Sequence, residues 1–428
     1  MMSSTTRSLG ERFRKLIHAL ERLTKTDLSY IAKGGFWLSI DQLASGLAAF
    51  MLAIVFARYV PKDVYGNYRY LVSVFWILTA FSLTGIPTAL AQTIARGQEG
   101  TFRKSIRTSI LWGIPMAAIA AGMGVYYFIQ GNETFGYGLL IIAALGPLLQ
   151  PSALFGSYLA GKKEFRTFAL TGALYAATPA LALIIAIFFT TSTLALIAVY
   201  LIGNIAIGAA LTAFVFIRYK PDRSESTDVG RLGAHFSAMN LLSTIAGQVD
   251  KLIVFHYLGA VDLAVYSFAV ALPEQARGAL GGISVLAMPK FVSRPFHEIR
   301  KNFWSRLWLF TLGLAVVAGV YALLAPYLFR TFFPAYMDAV RYSQVYALAL
   351  IPIGSALPVA LLQSHVAKRE LYIFNVLSPV LQILVLVWLT SSYGLMGTII
   401  ARIIGRTWSF GLSGALVETY GRRLTRIS

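Results

Sequence analysis

The stretch IVFARYVPKDVYGNY (residues 54–68) returns in the second half of the chain as IVFHYLGAVDLAVY (residues 253–266). Each copy follows a long apolar run, passes a short turn carrying an aspartate, and reaches a tyrosine as the next apolar run begins. Twelve such runs fill the chain, at 34–58, 66–92, 107–129, 137–160, 167–189, 193–217, 235–258, 264–288, 306–329, 342–364, 371–391 and 394–419. Each is long enough to cross a hydrocarbon core of about 30 Å as a helix. A mean hydropathy of +0.67 and 13% charged residues agree. In lipid every backbone polar group must be satisfied within the segment, which favours helices. The sequence therefore predicts an all-α polytopic membrane protein of twelve transmembrane helices. The two copies fall at the junctions of spans 1–2 and 7–8, equivalent positions in two six-helix bundles of one orientation. The predicted organisation is an N-terminal cytoplasmic segment (1–33), a first bundle (34–219), a linker (220–234), a second bundle (235–420) and a basic tail (421–428).

The net charge of +19 would suit nucleic acid, but its distribution argues against that. Of 37 lysines and arginines, 28 lie in the two terminal segments and in the connectors that follow spans 2, 4, 6, 8 and 10. Five lie on the opposite side (Arg58, Lys62, Arg69, Arg330 and Arg341) and four within spans (Lys251, Arg277, Arg402 and Arg406). This is the positive-inside asymmetry. It predicts cytoplasmic termini in a cell membrane and no nucleic-acid partner. Residues 11–25, ERFRKLIHALERLTK, set Phe13, Leu16, Ile17, Leu20 and Leu23 at helical spacing among basic residues. That pattern predicts an amphipathic helix on the inner leaflet; the plainer reading is a solvated arm. No cleavable signal pattern precedes the first span.

Ionisable groups inside spans cost about 2.5–3.5 kcal/mol at a helix centre, so they are expected to face water or a partner. Span 1 carries Asp41. Span 7 carries Asn240, Gln248, Asp250 and Lys251, and span 8 carries Glu274 and Arg277. Span 12 carries Arg402 and Arg406. These groups predict a hydrated cavity between the bundles. Lys251, Arg277, Asn240, Gln248, Arg402 and Arg406 would bind an anionic substrate, and Asp41, Asp250 and Glu274 would adjust the charge or bind a coupling ion. The plainer reading is a static set of salt bridges, since Glu274 and Arg277 stand at i,i+3. Asp250 and Lys251 are adjacent and point in different directions. Prolines such as Pro87, Pro147 and Pro273 mark candidate kinks.

Catalytic and cofactor motifs are lacking. GSYLAGK (156–162) spells the glycine and lysine positions of a phosphate loop, but Lys163 stands where serine or threonine is required and no strand precedes it. The five histidines are scattered without metal-ligand spacing, and there is no cysteine. No cofactor and no metal is expected.

The run GGFWLSIDQLASGLAAFMLAIVFARYVPKDVYGNYRYLVSV (34–74) is similar to the opening of polysaccharide-biosynthesis flippases, the Wzx-like translocases of the MOP superfamily. QVDKLIVFHYLGAVDLAVYSFAVALPE (248–274) and ALGGISVLAMPKFVS (279–293) resemble the start of that family's second half. The resemblance implies two six-helix bundles in a V around a cationic cavity, which Lys251 and Arg277 match. It implies an undecaprenyl-pyrophosphate-linked oligosaccharide as substrate, alternating access, and in several relatives an ion gradient (H+ or Na+). It also implies membrane lipids as surroundings and a polysaccharide polymerase and chain-length regulator as partners. The chain departs from MurJ-like flippases in having twelve spans rather than fourteen. The rival readings are a MATE-like drug antiporter, which would favour an acidic cavity, and a membrane glycan polymerase or ligase. An enzyme of that kind would need an outer loop longer than these short connectors provide.

Overall fold

The computed structural model describes residues 28–222, 224, 226, 228–292 and 295–427. The amphipathic helix expected at 11–25 lies outside the described residues. Among them the structure is helical, without strands.

The first half comprises α1 (Leu28–Tyr59), α2 (Lys62–Leu78), α3 (Ile86–Ala95), α4 (Thr101–Ile129), α5 (Glu133–Ser152), α6 (Leu154–Gly161), α7 (Phe165–Phe189) and α8 (Thr193–Tyr219). The second half comprises α9 (Val229–Ala246), α10 (Val249–Leu258), α11 (Ala260–Val292), α12 (Phe296–Phe332), α13 (Ala339–Tyr346), α14 (Ala356–Ser364) and α15 (Lys368–Ile427). Among the described residues eight helical units are long and apolar enough to cross a membrane, and the bent pair α2–α3 brings the number to nine. Dividing α15 at its break and adding the more polar units 229–258 and 260–292 is compatible with the expected twelve.

Several expected spans are broken, and each break has a local cause. Span 2 bends by 57° between α2 and α3. Pro87 sits in the first turn of α3 and supplies no backbone N–H. Gln150 of α5 fills the gap, accepting from Ser82 Oγ at 2.9 Å and donating to the Leu83 carbonyl at 2.7 Å. The tenth span is α13 and α14 joined by a 3₁₀ stretch, Ala347–Ser355, with Pro352 inside it. In α15 the chain reverses at Gly394, whose φ of 59° favours glycine. The Thr390 and Thr398 hydroxyls then meet across the break at 2.9 Å. By contrast, α11 continues through Pro273 without interruption.

The GSYLAGK stretch lies on α6 and its cap, not on a phosphate-binding loop. Lys163 follows it with φ 61°, and Val366 closes α14 with φ 53°. Both ends carry the same pair of bonds, Lys163 N–H to Ala160 O with Glu164 N–H to Leu159 O, and Val366 N–H to Gln363 O with Ala367 N–H to Leu362 O. The same left-handed cap closes α3 at Gly97 and α4 at Gly131.

Large apolar side chains such as Leu111, Ile129, Phe189 and Trp388 are exposed, which suits a surface bathed in lipid. Within the first half α4 packs on α5 and α1 on α7; within the second, α12 and α15 pack on the 3₁₀ stretch. The halves meet where α2 crosses α10 and α11, and where α3 crosses α9. At the first crossing a Cβ on Gly66 would overlap the Ala260 carbonyl, so the backbones touch. At the second the Gly85 N–H donates to Ser237 Oγ at 2.9 Å. Beyond the spans, the linker is tied to the first half. Asp222 accepts from the Gly100 N–H at 3.0 Å, and the Ser226 N–H donates to Thr101 Oγ1 at 2.8 Å. Hydrogen bonds from Ser224 and Gly100 hold the Asp222 carboxyl below the usual carboxylate range.

Candidate functional site

A cavity of about 720 Å³ lies between the halves. The first half contributes α1 and α2 to its wall, with Phe50, Tyr65, Tyr68 and Arg69. The second half contributes Gln248, Asp250 and Lys251 from the start of α10, and Glu274, Gln275 and Arg277 from α11. Arg402 and Arg406 of α15 complete the charged lining. Five cations therefore face two carboxylates.

The carboxylates are already engaged. Asp250 is buried, accepts from the Tyr266 hydroxyl at 2.6 Å and lies 3.7 Å from Arg402 Nε. Glu274 has three guanidiniums around it: Arg277 at 3.1 Å, Arg402 at 3.7 Å, and Arg406 in direct hydrogen bond. The Tyr346 hydroxyl donates to the same carboxylate. Arg406 also donates to the Ala349 carbonyl and lies over the Tyr346 ring, 5.3 Å from its centroid. Burial of ions costs several kcal/mol each unless paired and hydrogen-bonded, and this chain of contacts offsets that cost.

Lys251 stands apart. Its ammonium donates to Gln248 Oε1 at 2.6 Å. Among the described residues neither Lys251 nor Arg69 has a carboxylate within ion-pair distance, and the Arg69 Nε is buried without a hydrogen-bond partner. Arg277 is the accessible end of the Glu274 cluster, its side chain 53% exposed against 12% for Arg402 and 14% for Arg406.

The structure thus gathers Gln248, Asp250, Lys251, Glu274, Arg277, Arg402 and Arg406 around one cavity. Glu274 and Arg277 form the i,i+3 ion pair of the plainer reading, and both line the cavity. Asn240 is exposed and off the cavity wall; its carbonyl accepts the Ser243 and Thr244 hydroxyls. Asp41 is also off the wall. It lies against Gly172 of α7, where any Cβ would overlap its carboxylate, and its Oδ1 is buried without a partner. Arg69 was not among the expected site residues, because it was counted with the connector preceding span 2. It sits instead inside α2, facing the cavity. Its position inside the expected 66–92 span was the available signal. Among the described residues no group of three His, Cys, Asp or Glu side chains could hold a metal ion.

The family model described as polysaccharide biosynthesis protein matches residues 31–293. No curated protein matches the chain significantly in sequence. Solved structures share the fold. An inward-facing multidrug MATE transporter of the MOP superfamily aligns with TM-score 0.69 and 13% identity, covering 91% of this chain and 99% of that one. The lipid II flippase MurJ, in an inward closed conformation, aligns with TM-score 0.65 and 15% identity, covering 88% and 86%. A MOP superfamily transporter from Pyrococcus furiosus, described as having a binding pocket of reverse polarity, aligns with TM-score 0.59 and 13% identity, covering 90% and 96%.

Proposed function

The chain belongs to the polysaccharide biosynthesis protein family, and from that premise we propose that it flips an undecaprenyl-pyrophosphate-linked oligosaccharide across the cell membrane by alternating access. The observation that carries this reading is the cationic wall of the inter-half cavity, where Lys251 has no carboxylate partner and Arg277 is the accessible guanidinium of its cluster. The diphosphate is drawn by Lys251 and Arg277, because cations in a low-dielectric setting hold phosphate oxygens strongly. Gln248 positions the Lys251 ammonium. Arg402 and Arg406 keep Asp250 and Glu274 neutralised, so the acids do not repel the anion. The sugars occupy the cavity while the prenyl tail stays in lipid.

In this reading the basic end is cytoplasmic with both termini, the bundles span 34–219 and 235–420, and the linker 220–234 moves with the first bundle. The coupling ion, H+ or Na+, binds at Asp41, Asp250 or Glu274. Asp41 suits this role best, because among the described residues it has no cation partner. A polymerase and a chain-length regulator receive the exported unit. A drug antiporter of the same fold would be better served by an acidic cavity, which the five cations oppose.

Arg277→Ala tests the assignment. Its side chain is half exposed, so the protein level should stay near that of the parent while glycan export in a strain lacking the native gene falls to background. Undiminished export in that variant would remove Arg277 from the mechanism.

A further inference from the structure

The charge on the cavity wall exceeds what a diphosphate requires. Five cations face two carboxylates, which leaves three positive charges uncompensated. A diphosphate joining a prenyl chain to a sugar carries two negative charges, one on each phosphorus. One positive charge remains, and the geometry identifies the group that bears it. If Lys251 and Arg277 take the diphosphate, Arg69 is the remaining cation. It is the only one of the five contributed by the first half.

Among the described residues Arg69 is the one guanidinium of the cavity wall without a carboxylate within ion-pair distance, whereas Arg277, Arg402 and Arg406 all have one. Its Nε is buried and unpartnered. Tyr65 and Tyr68 line the cavity on the same helix, and Tyr200 of α8 packs edge-on to Tyr68 with ring centroids 6.3 Å apart. A guanidinium presents a planar fork that matches a carboxylate with two parallel bonds. Tyr65 and Tyr68 are buried, packed on Phe56 and, for Tyr65, on Phe268, so they form a firm wall beside the guanidinium. Lys251 has no such setting, being an ammonium held by Gln248.

Resting on the flippase reading, we propose that the carried oligosaccharide is acidic: Arg69 binds a sugar carboxylate, separate from the diphosphate, beside Tyr65 and Tyr68. The device gives specificity as well as affinity. A neutral glycan would leave Arg69 without an anion in a cavity of low dielectric, which penalises the wrong cargo more than it rewards the right one. It also sets a carboxylate contact on the first half against a diphosphate contact on the second, so that only an acidic cargo bridges both.

The test compares two synthetic prenyl-diphosphate disaccharides that differ in one group, a hydroxymethyl or a carboxylate on the terminal sugar. Binding to the purified full-length protein is measured for each. The acidic ligand should bind about tenfold tighter or more, as expected for a hydrogen bond between charged groups. Arg69→Gln should abolish that preference, weakening the acidic ligand and not the neutral one. Arg69→Lys should keep part of it, because the charge stays but the fork is lost. Equal affinity for the two ligands in the parent protein would overturn the proposal. So would equal weakening of both by Arg69→Gln, which would place Arg69 on the diphosphate. Failure of both ligands to bind would overturn the flippase reading, and this proposal with it.

Discussion

Bridging positions 62 and 338 through engineered cysteines should stop glycan export, and reducing the bridge should restore it. The chain has no cysteine of its own, so Lys62→Cys with Asp338→Cys supplies the only thiols. In the structure Lys62 Nζ meets Asp338 Oδ2 at 2.7 Å, and Arg58 donates to the Thr331 carbonyl at 2.9 Å. These contacts join the α1–α2 turn of the first half to the α12–α13 turn of the second. Beneath them lies a layer of rings. Phe50 packs edge-on against Phe332 and Phe333, and Tyr65 packs against Phe268. Alternating access requires this layer to separate.

A lysine–aspartate pair meeting head to head holds its Cα atoms too far apart for a direct disulfide, so a reducible bifunctional thiol reagent is the right bridge. The unbridged double variant should export nearly normally. An exposed ion pair is worth roughly 0–1 kcal/mol, too little to hold the halves together without the rings below. Export that persists with the bridge in place would show that the ends of the two halves need not part.

The second large effect belongs to Glu274. Glu274→Ala should lower the amount of folded protein and its thermal midpoint in detergent well below those of Arg277→Ala. Glu274 is the shared acceptor for Arg277, Arg402, Arg406 and Tyr346. Arg402 and Arg406 are mostly buried, and removing their partner strands charge in a low-dielectric interior, at a cost of about 3–5 kcal/mol. That is a large share of a typical stability of roughly 5–15 kcal/mol. Arg277 is the exposed member, so its removal leaves the Glu274 carboxylate still engaged by two arginines. Normal levels and a parental midpoint for Glu274→Ala would mean that the cluster contributes little to the fold and that Glu274 acts in transport alone.

Much of this architecture was legible in the residues because membrane spans are long, apolar and set off by charge. The recurrence of IVF…D…Y at 54–68 and 253–266 located the two turns at which the halves now meet. The polar residues of spans 7 and 8 identified the cavity, since Lys251 and Arg277 had no other inexpensive place to be. What the sequence could not give was pairing. Whether Arg402 and Arg406 faced the cavity or a neighbouring helix depended on where α15 reversed, and Gly394 looks like any other membrane glycine until its φ is known. The break in span 2 was marked by Pro87, but the Gln150 side chain that bridges it arrives from another helix and was hidden. Asp41 and Asn240 show the opposite error. Each is polar within a span, yet one rests against Gly172 and the other lies exposed off the wall. Helical spacing alone does not say which neighbour a face meets. Arg69 was overlooked because a cation near the end of a span is usually assigned to the interface, where it can extend to water.

The most direct measurement is transfer of a fluorescent prenyl-diphosphate oligosaccharide between leaflets of liposomes containing the purified protein. The label is quenched from outside by a membrane-impermeant reagent. The account predicts protein-dependent transfer that disappears when Lys251→Gln and Arg277→Gln are combined. Transfer no faster than in empty liposomes would contradict it if the same preparation transported a cationic drug, and so would full transfer by the double variant.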